Sequence, residues 1–317
     1  MSFAVSGDAY DRFMGRYSRP LAPAFADFAG VEAGRRVLDV GCGSGVLTEE
    51  LAARVGVEQV SGVDPSPLLA ACAERVPGAE LKQGKAEALP WPDDSFDAAI
   101  AQLVIHFMDD PTVGAAEMAR VTRPGGVVAA SSWDFSGGME MLRVYWETAR
   151  ELDHDLTGES RSFGNLEELD ALWRQLGLED VEAGPIEVSA RYEDFDELWG
   201  TFLLGVGPAG EYVVSLPPER QEALRGEYWR RLGDPTGGLK LSARAWAARG
   251  RVPGYGRASA SSDPGESTRS RSAPVPISET GTSSSRSTNS TYRRAFPGSA
   301  SSSVTSSSGS SQPGSVS

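Results

Sequence analysis

Arg36-Val-Leu-Asp-Val-Gly-Cys-Gly-Ser-Gly45 is a short apolar run that ends in a glycine-rich turn, and residues 46–55 beyond it carry apolar side chains at helical spacing. A buried strand that runs straight into a tight turn and a helix is the opening unit of a doubly wound α/β sheet. Such sheets take their ligands at the carboxyl ends of their strands. Gly41 and Gly43 let backbone approach a ligand where a Cβ would intrude. A dinucleotide fingerprint needs its third glycine at position 46, and this chain has Val46 there. The turn alone is also compatible with simple helix-on-strand packing.

Outward from this unit the same rhythm repeats. Strands are expected at 36–40, 59–64, 80–83, 96–102 and 126–131, with helices at 46–55, 67–76 and 112–121. Arg123-Pro-Gly-Gly126 reads as the stop after the last of these helices. Ahead of the first strand, residues 10–29 form one or two aromatic-rich helices. Beyond Ser132 the pattern becomes helical at 139–152, then from Asn165, whose side chain with Glu168 suits a capping box. A strand at 181–192, helices at 194–204 and 218–232 with a loop at 205–210 between them, and a strand at 239–247 complete it. The expected class is a Rossmann-like, doubly wound, mostly parallel sheet with a helical cover in its C-terminal half.

Composition narrows the function. The 317 residues carry 30 Lys+Arg against 44 Asp+Glu, a net charge of −14, and the basic excess of the last 60 or so residues makes the body more acidic still. An acidic body repels phosphate backbones, so nucleic acid is not an expected partner. No apolar run has the length of a membrane span and no signal peptide opens the chain. Two cysteines, Cys42 and Cys72, make no disulfide framework, and no metal-ligand spacing stands out. A cytoplasmic protein is expected. From about residue 255 onward Ser, Thr, Gly and Pro dominate, so the folded domain is expected at 1–253, with 132–238 as its substrate cover, and 254–317 as a disordered tail.

Asp64 ends the second strand about twenty residues after the glycine turn, where an acid can accept both hydroxyls of a ribose. It could equally cap the helix opened by Pro65-Ser66-Pro67, and the two roles are compatible.

With the glycine turn and Asp64 in place, the chain resembles the class I S-adenosylmethionine-dependent methyltransferases, especially the small-molecule group that includes the quinone C-methyltransferases. The resemblance covers roughly residues 10–253. It is carried by Val37-Leu-Asp-Val-Gly-Cys-Gly-Ser-Gly45, Val63-Asp-Pro-Ser66, Ala86-Glu-Ala-Leu-Pro-Trp-Pro-Asp-Asp-Ser-Phe-Asp97 and Arg120-Val-Thr-Arg-Pro-Gly-Gly126. It implies a seven-stranded sheet with an antiparallel last strand, S-adenosylmethionine as cofactor and a small-molecule acceptor. By the same match Asp39 orients the amino group, and Gly41, Cys42 and Gly43 lie along the methionine and ribose. Asp64 takes the ribose hydroxyls, while Pro65 and Ser66 flank the adenine. Relatives carry an acid at the centre of the turn Gly84-Lys85-Ala86. Lys85 stands there instead and cannot accept a hydrogen bond, which leaves adenine recognition to backbone around Ala86.

Gln102 and the residues after it lie where relatives approach the reactive methyl. His106 is either a packing residue there or a general base for the acceptor. His154 sits among acids and reads as a solvated face. Trp133-Asp134 reads as a substrate wall or as a structural cap. Tyr10, Arg16 and Tyr17 belong to a helix that covers the cofactor in relatives; Tyr17 is expected at the cofactor, while packing serves at least equally for Tyr10 and Arg16. Cys42 reads as a small loop residue with no base beside it. Trp146, Trp173, Phe195, Trp199, Phe202 and Trp229 are expected mainly as core, with a few lining an apolar acceptor pocket. A non-catalytic cofactor-binding relative and a nicotinamide-dependent oxidoreductase are the alternatives.

Overall fold

The glycine turn follows a strand that is buried along its whole length. In the computed structural model, which describes residues 12–154, 156 and 163–254, β1 (Val37–Val40) pairs in parallel with β2 (Val60–Asp64) on one side and β4 (Phe96–Gln102) on the other. Tyr10 and the Ser-rich segment from residue 255 lie outside the described residues. β3 (Glu80–Gln83) edges β2, and β5 (Thr122–Trp133) continues beyond β4. β7 (Leu239–Arg251) then runs antiparallel between β5 and β6 (Glu179–Tyr192), which gives the order β3-β2-β1-β4-β5-β7-β6. Strand order reverses between β1 and β4, so a crevice opens at their carboxyl ends. Near-continuous apolar strands suit a parallel sheet covered on both faces.

Nine α-helices are present among the described residues: α1 (Gly15–Ala29), α2 (Val46–Val55), α3 (Leu69–Arg75), α4 (Pro111–Val121), α5 (Glu140–Leu152), α6 (Leu166–Gln175), α7 (Phe195–Phe202), α8 (Gly207–Ser215) and α9 (Pro218–Arg231). Side-chain caps fix several starts. Asp110 accepts from the Thr112 and Val113 amides at 2.9 and 3.1 Å, and Asp194 accepts from Glu197 at 2.8 Å. Such caps are each worth about 1 kcal/mol. Asn165 caps α6 through the Glu168 amide at 2.9 Å, but the Glu168 carboxylate accepts from Phe163, not from the cap residue as a capping box requires.

Two boundaries differ from the sequence expectation for physical reasons. β5 starts at Thr122 and runs through Pro124-Gly125-Gly126, because the Gly125 amide donates to Val252 across the sheet at 2.8 Å. A Cβ on Gly126 would lie 2.7 Å from the Asp97 carbonyl, so the glycine serves close strand approach and not a stop. The loop expected at 205–210 gives way to α8, whose Ala209, Gly210 and Val213 are buried. Gly210 packs against the backbone of Gly205, where a Cβ would come within 2.7 Å.

Each face of the sheet has its own core. One packs α1, α2, α5 and the α7–α9 cover around residues such as Leu21, Leu51, Tyr145 and Phe202. The other packs α4 and α6 through Met118, Leu172 and Trp173, whose indole donates to the Val128 carbonyl at 2.9 Å. In the cover, Tyr145 stacks on Phe202 with centroids 4.4 Å apart and Tyr228 meets Phe202 edge-on. The Tyr145 and Tyr228 hydroxyls donate to the Ala209 and Met141 carbonyls, so these two buried tyrosines are satisfied within the helical layer. Among the described residues no helix is long and apolar enough to cross a membrane.

Candidate functional site

The crevice between β1 and β4 opens into a cavity of about 820 Å³. Its floor is the turn from β1 into α2. The Gly41 and Cys42 amides donate to the Val63 carbonyl at 2.8 and 3.0 Å, and the Gly43 amide donates to Asp64 Oδ2 at 2.8 Å. The turn is therefore fastened to the end of β2 by backbone. Gly41 has a φ of 72° and a Cβ there would sit 2.5 Å from Val104, so packing demands the glycine. Gly43 differs. Its φ is 52°, and a Cβ would meet nothing nearer than the Gly41 carbonyl at 4.0 Å. Gly43 lines the cavity, so a side chain there would occupy the cavity itself.

Asp64 closes β2 and is nearly buried. Its Oδ1 accepts from the Ser66 amide at 2.8 Å and the Ser66 hydroxyl at 2.5 Å. The helix after it begins only at Leu69, so Asp64 caps a turn and not that helix. Each carboxylate oxygen has two lone pairs. Oδ2 accepts a single hydrogen bond from the chain, which leaves acceptor capacity on the oxygen shared with Gly43.

Asp39, on β1, is buried and accepts from the Thr48 hydroxyl at 2.7 Å. Burial pushes its carboxyl up to about 8, against the lowering effect of the Thr48 hydrogen bond. Cys42 lies beside Cys72; that hydrogen bond and burial hold its thiol well above the usual range, so it stays protonated. Gln102 ends β4. Its Nε2 donates to the Ser18 carbonyl at 3.2 Å, while its buried Oε1 has no partner among the described residues. The next residue, Leu103, is held at a φ of 63°, with its amide on the Ser131 carbonyl. A non-glycine residue in this region is strained backbone at the mouth of a cavity.

His106 also lines the cavity. Its Nδ1 lies 3.1 Å from the Ser132 hydroxyl, and Phe107 and Phe135 pack on its ring. At the far rim Lys85 pairs with Asp109 at 2.6 Å, both side chains well exposed.

The fold thus brings Asp39, Gly41, Cys42, Gly43, Asp64, Pro65, Ser66, Lys85, Ala86, Gln102 and His106 to one cavity. Tyr17 does not reach it. Its hydroxyl lies 3.4 Å from that of Tyr192 in the core, and the α1 residue at the cavity is Ser18. Arg16 is spent on the Arg191 carbonyl and Glu197. Asp134 is a structural cap: it accepts from the Ser136 amide and hydroxyl. Trp133 packs edge-on to Tyr17 and is not a cavity wall. None of Trp146, Trp173, Phe195, Trp199, Phe202 and Trp229 lines the cavity, because packing in the core and between cover helices consumes them. The aromatic wall is His106 and Phe107 instead. Asp109 is a cavity residue that sequence reasoning missed, since only the fold brings it to Lys85.

The profile of a methyltransferase domain matches residues 38–130, from β1 into β5. An uncharacterised methyltransferase of Mycobacterium tuberculosis is 40% identical over 127 residues, covering 40% of this chain and 49% of that protein. The chain spans about half the length of such curated relatives. A demethylmenaquinone methyltransferase of Lysinibacillus sphaericus is 31% identical over 170 residues, 48% of this chain and 73% of the relative. The chain belongs to the S-adenosylmethionine-dependent methyltransferases. The matched profile takes in every cavity residue on β1, β2, β3 and β4, while α5 and the later cover of this methyltransferase lie beyond it. Among solved structures, a Bacillus halodurans protein aligns with a TM-score of 0.48 at 18% identity, over 73% of this chain and 98% of that one. A Haemonchus contortus phosphoethanolamine N-methyltransferase aligns with a TM-score of 0.47 at 18% identity, over 78% of this chain and 57% of that one.

The donor set fits the methyltransferase cofactor. A cationic amino group needs acceptors, and Asp39 and Gln102, whose buried Oε1 has no partner among the described residues, both line the cavity from adjacent strands. The cradle at Gly43 is open only because a Cβ is missing.

Proposed function

We propose that this chain transfers the methyl group of S-adenosylmethionine to a small-molecule acceptor, within a methyltransferase domain at 1–253 covered by residues 132–238. The observation that carries the proposal is the cradle at Gly43 set between two carboxylates, Asp39 and Asp64, on adjacent strand ends. Asp39 and Gln102 Oε1 take the amino group, Gly41–Gly43 backbone the methionine and ribose, and Asp64 the ribose hydroxyls. Bound S-adenosylmethionine supplies an electrophilic methyl on a sulfonium, open to in-line displacement. The chain's part is alignment and exclusion of water, which in favourable cases lowers a barrier by about 7–11 kcal/mol.

The acceptor follows from the aromatic wall and from the relative named for demethylmenaquinone. It is a hydroxylated ring that becomes nucleophilic on losing a proton. Phe107 gives such a ring a face, and His106 takes the proton. In the tautomer whose Nδ1–H donates to the Ser132 hydroxyl, Nε2 is the accepting nitrogen of the imidazole. Incubation of the full chain with methyl-labelled cofactor and a reduced, demethylated naphthoquinone tests this. Label in the ring product supports the acceptor class, and label confined to the cofactor refutes it.

Proton linkage gives a second test. An unfolded aspartate titrates near 3.9, whereas folded Asp39 keeps its proton up to about pH 8. Between these values the free folded protein holds the extra proton, so its stability falls as pH rises through that window. A cationic amino group pairs with ionised Asp39, so binding releases the proton. Affinity for S-adenosylhomocysteine should therefore rise by up to about tenfold from pH 6 to pH 7 and flatten toward pH 8. Calorimetry at pH 7 in buffers of different ionisation enthalpy should find about one proton released by wild type and none by Asp39→Asn. Equal proton counts for the two proteins would remove Asp39 from the site.

A further inference from the structure

Beside Asp64, whose carbonyl accepts from the Gly84 amide at 3.3 Å, the cavity is lined by Pro65 and Ser66 and by Gly84-Lys85-Ala86. On the cofactor reading above, this is where the purine of the cofactor lies. A purine bearing an exocyclic amine needs a hydrogen-bond acceptor at that end, and the ammonium of Lys85 offers only donors. Two backbone carbonyls nearby each already accept one hydrogen bond, Lys85 from the Ala88 amide at 3.2 Å and Pro65 from Gln83 Nε2 at 3.3 Å.

The fold brings a carboxylate there from another segment. Asp109 lines the same end of the cavity, and its Oδ2 sits 2.6 Å from Lys85 Nζ. The segment is held firmly. Asp110 caps α4, its amide donates to Glu87 Oε1 at 3.2 Å, and Gly114 of α4 is small enough to pack on Met108 and Ala86. Glu87 and Asp109 both line the cavity and each spends one oxygen, Glu87 on the Asp110 amide and Asp109 on Lys85, but only Asp109 is fixed by the cation of the turn itself. An isolated exposed ion pair adds little to stability. A pair at a cavity rim can instead aim a carboxylate at a ligand.

We propose that Asp109, held in place by Lys85, accepts a hydrogen bond from the exocyclic amine of the cofactor's adenine and is the residue that selects adenine over other purines. The pair replaces, across two loops, the acid that the turn at Lys85 lacks. Hypoxanthine carries an oxygen where adenine carries the amine, so two acceptors would face each other there. A site built around one hydrogen bond discriminates well against the analogue that cannot make it.

The test is a calorimetric titration of the full chain with S-adenosylhomocysteine and S-inosylhomocysteine. Wild type should prefer the adenosyl ligand by about tenfold or more, and Asp109→Ala, which removes the acceptor, should bring the ratio near one by weakening that ligand. Lys85→Ala should narrow the preference, and Lys85→Arg, which keeps the cation, should preserve it. Unfolding without ligand should not move, because both side chains are exposed. An Asp109→Ala protein that keeps the wild-type ratio overturns the inference while leaving the cofactor site standing. Wild type that binds neither ligand overturns the cofactor site, and this inference with it.

Discussion

His106→Ala is expected to lower turnover at saturating cofactor by about 10²–10⁴-fold, the usual worth of a positioned general base, while cofactor affinity stays unchanged. His106 lies on the cavity wall after β4, with Phe107 and Phe135 fixing its ring and Ser132 fixing its Nδ1. In the proposed site these contacts set it at the acceptor side, on none of the groups assigned to the amino acid or ribose of the cofactor. On the same proposal Ser132 is a positioning residue that acts through His106. Rate and affinity therefore separate: the proton transfer is lost, the binding groups are not. Single-turnover kinetics beside a binding titration read the two independently. A tenfold loss of affinity with turnover preserved at saturation would make His106 a packing residue of the cofactor site.

Much of this was legible in the chain because the informative residues are close in sequence. Val37–Val40, the glycine turn and Asp64 lie within thirty residues, and glycines forced into left-handed backbone leave a clear mark. The contacts that sequence could not show are made only by the fold. Gln102 reaches Ser18 across 84 positions, and Lys85 reaches Asp109 across 24. Neither link has a local pattern. Glycine was also an ambiguous signal. At Gly43 it opens a cavity, at Gly126 it admits a neighbouring strand, and at Gly210 it lets a helix start pack on backbone, where composition alone suggested a loop. The cover aromatics misled for a related reason. Spacing shows that Tyr145, Trp199 and Phe202 face inward, but whether inward means cavity or neighbouring helix depends on contacts such as the Tyr145–Phe202 stack.

Asp64→Ala carries the largest expected effect on binding. The side chain accepts from the Gly43 amide, the Ser66 amide and the Ser66 hydroxyl, so it fastens the glycine turn, and in the proposed site it is also the acceptor for the ribose hydroxyls. Hydrogen bonds to a charged group are worth about 1.5–3 kcal/mol each. At about 1.4 kcal/mol per decade, losing the ribose contacts should weaken cofactor binding ten- to a hundredfold or more. S-adenosylhomocysteine should suffer equally, since it presents the same ribose. NAD should bind neither protein, because Val46 stands where the pyrophosphate turn needs a glycine. The decisive measurement is one calorimetric titration series of wild type and Asp64→Ala, both checked for native unfolding, against S-adenosylmethionine, S-adenosylhomocysteine and NAD. The account predicts tight binding of both sulfur ligands to wild type, a parallel loss in the variant and no heat from NAD. Tight NAD binding, or a folded Asp64→Ala protein with wild-type affinity for both sulfur ligands, would contradict it.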